Sequence, residues 1–149
     1  MAYFDNAATT YPKPDRVYSF MDAFYRKCGG NVGRGDYGIA KSAGALVADT
    51  RTHLQELLHC PAKQVVFTPT ATIALNIILQ GLCMMGMKNF YISPFEHNAV
   101  TRTLHHFENT GEINVTQLAV TSDFRYDLEK IRYQFDDCKP DVVVVSHAS

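Results

Sequence analysis

The sequence has no CxxC pair, no dense basic run, no apolar segment of membrane-spanning length and no leader-like start. Each absence removes a class of function. The four cysteines, Cys28, Cys60, Cys83 and Cys138, stand far apart, which argues against a disulfide framework and a thiolate zinc site. His59-Cys60 and His105-His106 are adjacent pairs, and neighbours on a helix point in different directions, so no metal site is expected. Fourteen basic and fifteen acidic residues leave a net charge of -1. Without a basic cluster, nucleic acid is not an expected partner. No membrane partner is expected either. Residues 1–6 lack the charged and apolar regions of a signal peptide, and the cytoplasm is the expected compartment. The glycines at 29–35 are not followed by Gly-Lys-Thr/Ser, which excludes a Walker loop. They follow a predicted helix rather than a strand, which excludes a dinucleotide fingerprint. No internal repeat stands out.

What is present is globular. Hydrophobic residues make up 46% and charged residues 19% of the 149, enough to build a core and too apolar for disorder. Helices are predicted over 15–27 and 39–58, the first with Val17, Phe20 and Phe24 near helical spacing, the second with Ala43, Leu46, Val47, Leu54 and Leu57 inward. From residue 64 the rhythm is regular. Strands at 64–67, 90–93, 113–119 and 142–145 alternate with helices at 71–83, 97–107 and 128–135. That pattern predicts an α/β fold, a mostly parallel sheet with helices on both faces. Two parts are expected, 1–60 with two helices and a Gly-rich loop, and 61–149 as an α/β domain. The run of four valines at 142–145 should be buried on both sides. A chain that stops just past such a strand is expected to be a piece of a longer protein.

Val65-Val66-Phe67-Thr68-Pro69-Thr70-Ala71-Thr72-Ile73-Ala74 reads as strand, turn and helix start. Free amides and the positive dipole end meet there, so Thr70, Ala71 and Thr72 could cradle a phosphate; an ordinary capped helix start reads the same way. Phe95-Glu96-His97-Asn98-Ala99-Val100 follows the next strand and lies at the same sheet edge. His97 could stack on a flat cofactor or move protons, or be a surface residue at a helix start. His147-Ala148-Ser149 after the last strand is a third candidate group. Asn31 and Arg34 lie in the glycine-rich stretch, which is either a linker or a loop reaching toward an anionic substrate.

These residues carry a resemblance. Tyr3-Phe4-Asp5-Asn6-Ala7-Ala8-Thr9-Thr10-Tyr11-Pro12-Lys13-Pro14 resembles the start of class V aminotransferase-fold enzymes, especially the cysteine desulfurases. Asn31-Val32-Gly33-Arg34 resembles their Asn-Pro-Gly-Arg loop, and residues 67–76 resemble Phe-Thr-Ser-Gly-Ala-Thr-Glu-Ala-x-Asn. Glu96-His97-Asn98-Ala99 and Val145-Ser146-His147-Ala148-Ser149 resemble two further runs, all in the family's order. The resemblance implies part of the large domain of the fold type I transferases that depend on pyridoxal 5'-phosphate. It implies a homodimeric parent that converts L-cysteine to alanine, leaves a persulfide and hands sulfur to an acceptor protein. It assigns the cofactor phosphate to Ala71 and Thr72, with Thr70 beside them where the family has glycine. His97 becomes the catalytic, ring-stacking histidine, and Asn31 and Arg34 lie near the substrate. Pro69 and Ile73 depart from the family's serine and glutamate. No Ser-x-His-Lys run, the family's Schiff-base motif, occurs in the chain, so the chain alone is expected to be inactive and to hold the cofactor weakly or not at all. The resemblance leaves open another class V reaction, such as an aminotransferase or selenocysteine lyase. A non-catalytic binding remnant is a further reading.

Overall fold

The computed structural model describes residues 2–6, 9–28, 30–32 and 37–147. The chain divides into two units, Met1–Phe67 and Thr68–Ser149.

The first unit holds α1 (Asp15–Cys28) and α2 (Gly38–Leu57). Asp15 in the first turn of α1 and Arg26 and Lys27 in its last turn complement the helix dipole. The core here is thin: Ala40 and Ala43 are the buried apolar residues of α2, and α1 has none. Leu57, expected inward, is 73% exposed, because it sits in the last turn beyond the stretch that packs. The segment 64–67, expected as a strand, carries no ladder. Val66 is 77% exposed. Arg51 holds the segment instead, its Nε donating to the Val65 carbonyl at 3.1 Å and its guanidinium lying 5.5 Å from the Phe67 ring centre. β-branched residues favour a pleated surface only where a neighbouring strand supplies one.

The second unit is α3 (Ala71–Met84), β1 (Asn89–Ile92), α4 (Asn98–Asn109), β2 (Asn114–Gln117), α5 (Leu128–Asp137) and β3 (Val142–Val144). The three strands form a parallel sheet in the order β2-β1-β3. Alternation along β1 assigns the faces. Phe90 and Ile92 pack with Leu79 of α3, Val100 and Leu104 of α4 and Ile113 in the main core. Tyr91 points the other way, its ring 5.0 Å from Phe135 of α5 and its hydroxyl within reach of the Gln134 and Cys138 carbonyls at 2.8 and 2.7 Å. Helices therefore cover both faces. Gln134 ties α5 to the end of β2 by accepting from the Ala119 amide and donating to the Gln117 carbonyl.

Two helices of this unit are punctuated alike. α3 and α4 each end with a glycine in the left-handed region, Gly86 at φ 90 and Gly111 at φ 74. In both, the next two amides turn back onto the last carbonyls: Gly86 to Cys83 and Met87 to Leu82, Gly111 to Glu108 and Glu112 to Phe107. This double closure is the Schellman motif, and glycine adopts its φ without a Cβ penalty. One expectation for the sheet is corrected. β3 lies at an edge of the described sheet, and Val143 is 46% exposed. Only Val142 and Val144 turn toward the main core.

Candidate functional site

The direction of the chain places the site. α3 runs into β1 through a short turn, so it lies antiparallel to the strand and its first turn stands at the carboxyl edge of the sheet. β1 then leaves that edge and enters α4. Two helix N-termini thus meet where ligands bind in open parallel sheets.

At the first terminus Thr70 is the N-cap. Its Oγ1 accepts from the Ile73 amide at 3.2 Å, and its carbonyl accepts from the Ala74 amide at 3.1 Å. The amides of Ala71 and Thr72 have no acceptor among the described residues. They are the orphan donors that every helix start presents. At the second terminus His97 is the N-cap. Its Nδ1 accepts from the Ala99 amide at 3.1 Å. That bond needs a lone pair on Nδ1, which puts the ring proton on Nε2.

Thr72 and His97 line one groove of about 550 Å³ between α3 and α4. Along α3 it is walled by Thr72, Asn76 and Gln80, and along α4 by Asn98, Arg102 and His106, with Thr103 at its floor. No carboxylate lines it, and Arg102 has no hydrogen-bond or ion-pair partner among the described residues. The donors and the absence of acids suit an anion. Behind His97, Glu96 clamps the loop to the segment after β3: its two carboxylate oxygens accept from the Ser146 amide at 2.5 Å and the Ser146 hydroxyl at 2.9 Å.

Of the residues singled out from sequence, the structure brings Thr70, Ala71, Thr72 and His97 to one end of the second unit. Asn31 belongs to the first unit and is exposed. Arg34, Ala148 and Ser149 lie outside the described residues. Asn76, Gln80, Arg102 and Thr103 were not singled out as site residues. A signal for the first two was available: apart from Thr72 they are the polar residues of an otherwise apolar helix, spaced four apart, so they share a face. Burial pushes the Cys83 thiol up, away from the reactive thiolate. Among the described residues no group of three or more His, Cys, Asp and Glu side chains could hold a metal.

Fold and site define a parallel α/β unit with a groove at its carboxyl edge that no carboxylate among the described residues lines. A sequence model described as aminotransferase class-V matches residues 2–149, and the chain belongs to that family. It is 30% identical over 149 residues to cysteine desulfurase IscS of Haemophilus ducreyi, taking in 97% of this chain and 36% of the relative. It is 27% identical over 150 residues to a cysteine desulfurase of Haloferax volcanii, covering 97% and 35%. Among solved structures, the apo cysteine desulfurase from Thermococcus onnurineus NA1 matches with a TM-score of 0.87 at 23% identity, over 99% of this chain and 36% of that one, and shows the shared fold. A NIFS-like protein matches with 0.84 at 28% identity, over 97% and 39%. The chain thus spans about a third of the length of these relatives.

Proposed function

We propose that these residues form the phosphate- and ring-binding part of a pyridoxal 5'-phosphate site in a cysteine desulfurase. The observation that carries the reading is the pair of amides at Ala71 and Thr72 with no acceptor among the described residues, at the helix start where Thr72 shares a groove with His97, in a chain of this family. The residues fit the group. Two amides, the Thr72 hydroxyl and the dipole of α3 suit a phosphate dianion, and nothing acidic lines the groove to oppose it. Ala71 and Thr72 would hold the phosphate, with Thr70 keeping the first turn of α3 in place through its cap. His97 would lie against the pyridine ring and hold a proton on Nε2, because the Ala99 amide keeps Nδ1 as an acceptor. When bound, the cofactor supplies an electron sink for charge developing at a substrate α-carbon.

The substrate in this reading is L-cysteine and the products are alanine and an enzyme persulfide passed to a sulfur-acceptor protein. The active species is a cytoplasmic homodimer. No helix among the described residues is long and apolar enough to cross a membrane. The seven lysines include none in a Ser-x-His-Lys run, so turnover belongs to a longer protein and these 149 residues alone are inert. Two measurements test the proposal. The chain should bind pyridoxal phosphate more tightly than pyridoxal, and Thr72→Val should erode that difference. Incubated with cofactor, L-cysteine and a reductant, it should release sulfide no faster than free cofactor. Equal affinity for pyridoxal and its phosphate would reject the cofactor assignment, and turnover that disappears with His97→Ala would reject the inertness of these 149 residues alone.

A further inference from the structure

Side-chain hydrogen bonds link the first turns of α3 and α4 between Thr72 and His97. The Asn76 Nδ2 donates to the Thr72 carbonyl at 2.8 Å. The Asn76 Oδ1 accepts from the Thr103 hydroxyl at 2.9 Å, which also lies 2.8 Å from the Ala99 carbonyl one turn back in α4. The Ala99 amide in turn donates to the His97 Nδ1. The helix-crossing contact thus lies one turn from Thr72 on α3 and within two turns of His97 on α4.

Packing alone does not explain this arrangement. α3 and α4 already meet through Leu75, Leu79, Val100 and Leu104. Such contact is strong but non-directional, and it leaves two helices free to slide or roll against each other. Thr103 is only 9% exposed, a position where valine would fill nearly the same shape. Its one hydroxyl proton is shared between the Ala99 carbonyl of its own helix and the Asn76 Oδ1, and only the second contact crosses to α3. Asparagine is also a poor helix former, placed here amid strong ones. A directional bond across two apolar faces fixes their register.

We propose that Asn76 and Thr103 are positioning residues that hold the first turns of α3 and α4 in register, so that Thr72 and His97 act on one ligand. The binding part of this inference rests on the cofactor reading above; the part concerning His97 does not.

The test compares Thr103→Val, Thr103→Ser and Asn76→Leu with the unaltered chain. Leu104→Val serves as a packing control that leaves the bonded path intact. Two signals are read: the His97 ring nitrogens by 15N-detected NMR of the unliganded chain, and affinity for pyridoxal 5'-phosphate and for inorganic phosphate. Leucine is a better helix former than asparagine, so Asn76→Leu guards against loss of the fold. Thr103→Val and Asn76→Leu should shift the His97 ring signals and weaken phosphate binding about fivefold, the worth of one net hydrogen bond. Thr103→Ser should restore both, and Leu104→Val should lower the melting temperature while leaving the His97 ring unmoved. Unchanged ring signals in Thr103→Val and Asn76→Leu would overturn the proposal, as would Thr103→Ser behaving like Thr103→Val. If the unaltered chain binds neither phosphate, the cofactor reading falls while the ring signals still decide the register.

Discussion

At the scale of single residues, the carboxylate of Asp141 fastens the start of the sheet. Its Oδ2 accepts from the amides of Lys88 and Asn89 at 2.8 and 2.9 Å. The Asn89 and Lys88 amides hold the Asp141 carboxyl below the usual aspartate value. A depressed carboxyl stabilises the folded state above its unfolded pKa, and that stabilisation is lost as pH falls through the folded value. Asp141→Asn keeps an oxygen for both amides and removes the charge. It should lower stability at neutral pH, and the gap should close on acidification below about pH 4, followed by urea unfolding at several pH values. Individual residues were unevenly legible in the sequence. Thr72 could be named because small hydroxylated residues open the helix there, and His97 because it sits at a strand-to-helix junction, where chemistry concentrates. Asp141, Asn76 and Thr103 could not, because their partners lie 52 and 27 residues away and only the fold brings them near.

Helices were the most legible elements, since the 3.6-residue period survives in the sequence whatever the helix packs against. The starts at 71, 97 and 128 fall within a residue of those of α3, α4 and α5, and the ends within two. The strand at 64–67 was misread because strand propensity is a statement about neighbours, and sequence does not show which strands find one. The N-terminus of α3 shows an unfinished device. Thr70 caps the Ile73 amide, but a capping box also needs Glu or Gln three residues after the cap to reach back to the cap's own amide. Ile73 occupies that place and is exposed. Ile73→Glu should complete the box and favour the dipole, stabilising the second unit by about 0.5 kcal/mol. A rise in the denaturant midpoint at unchanged slope would register it. No rise would mean that the Thr70 amide already has a solvent partner as good.

At the scale of the whole molecule, the buried apolar side chains are unequally shared. Most lie in the second unit, around Phe90, Leu79, Val100 and Leu104, while the first contributes Ala40 and Ala43. Local stability follows buried contacts. Native-state hydrogen exchange should therefore find the amides of β1 and α4 the slowest and those of α1 faster by at least ~100-fold. Uniform protection across both units would contradict that division.

The strand order β2-β1-β3 also sets a timetable for synthesis. Of the three described strands β1 is made first, and it receives a neighbour on each side only when β3 follows. The β2 side closes across 25 residues, at Asn89 and Asn114, and the β3 side across 52, at Asn89 and Asp141. Doubling a loop adds only about 0.6 kcal/mol of closure entropy, so the delay is one of time rather than cost. At roughly 5–20 residues per second, a ribosome leaves one edge of β1 bare for a second or more after β2 has emerged. Until the valines of β3 arrive, that edge is open to the strand of any neighbouring nascent chain.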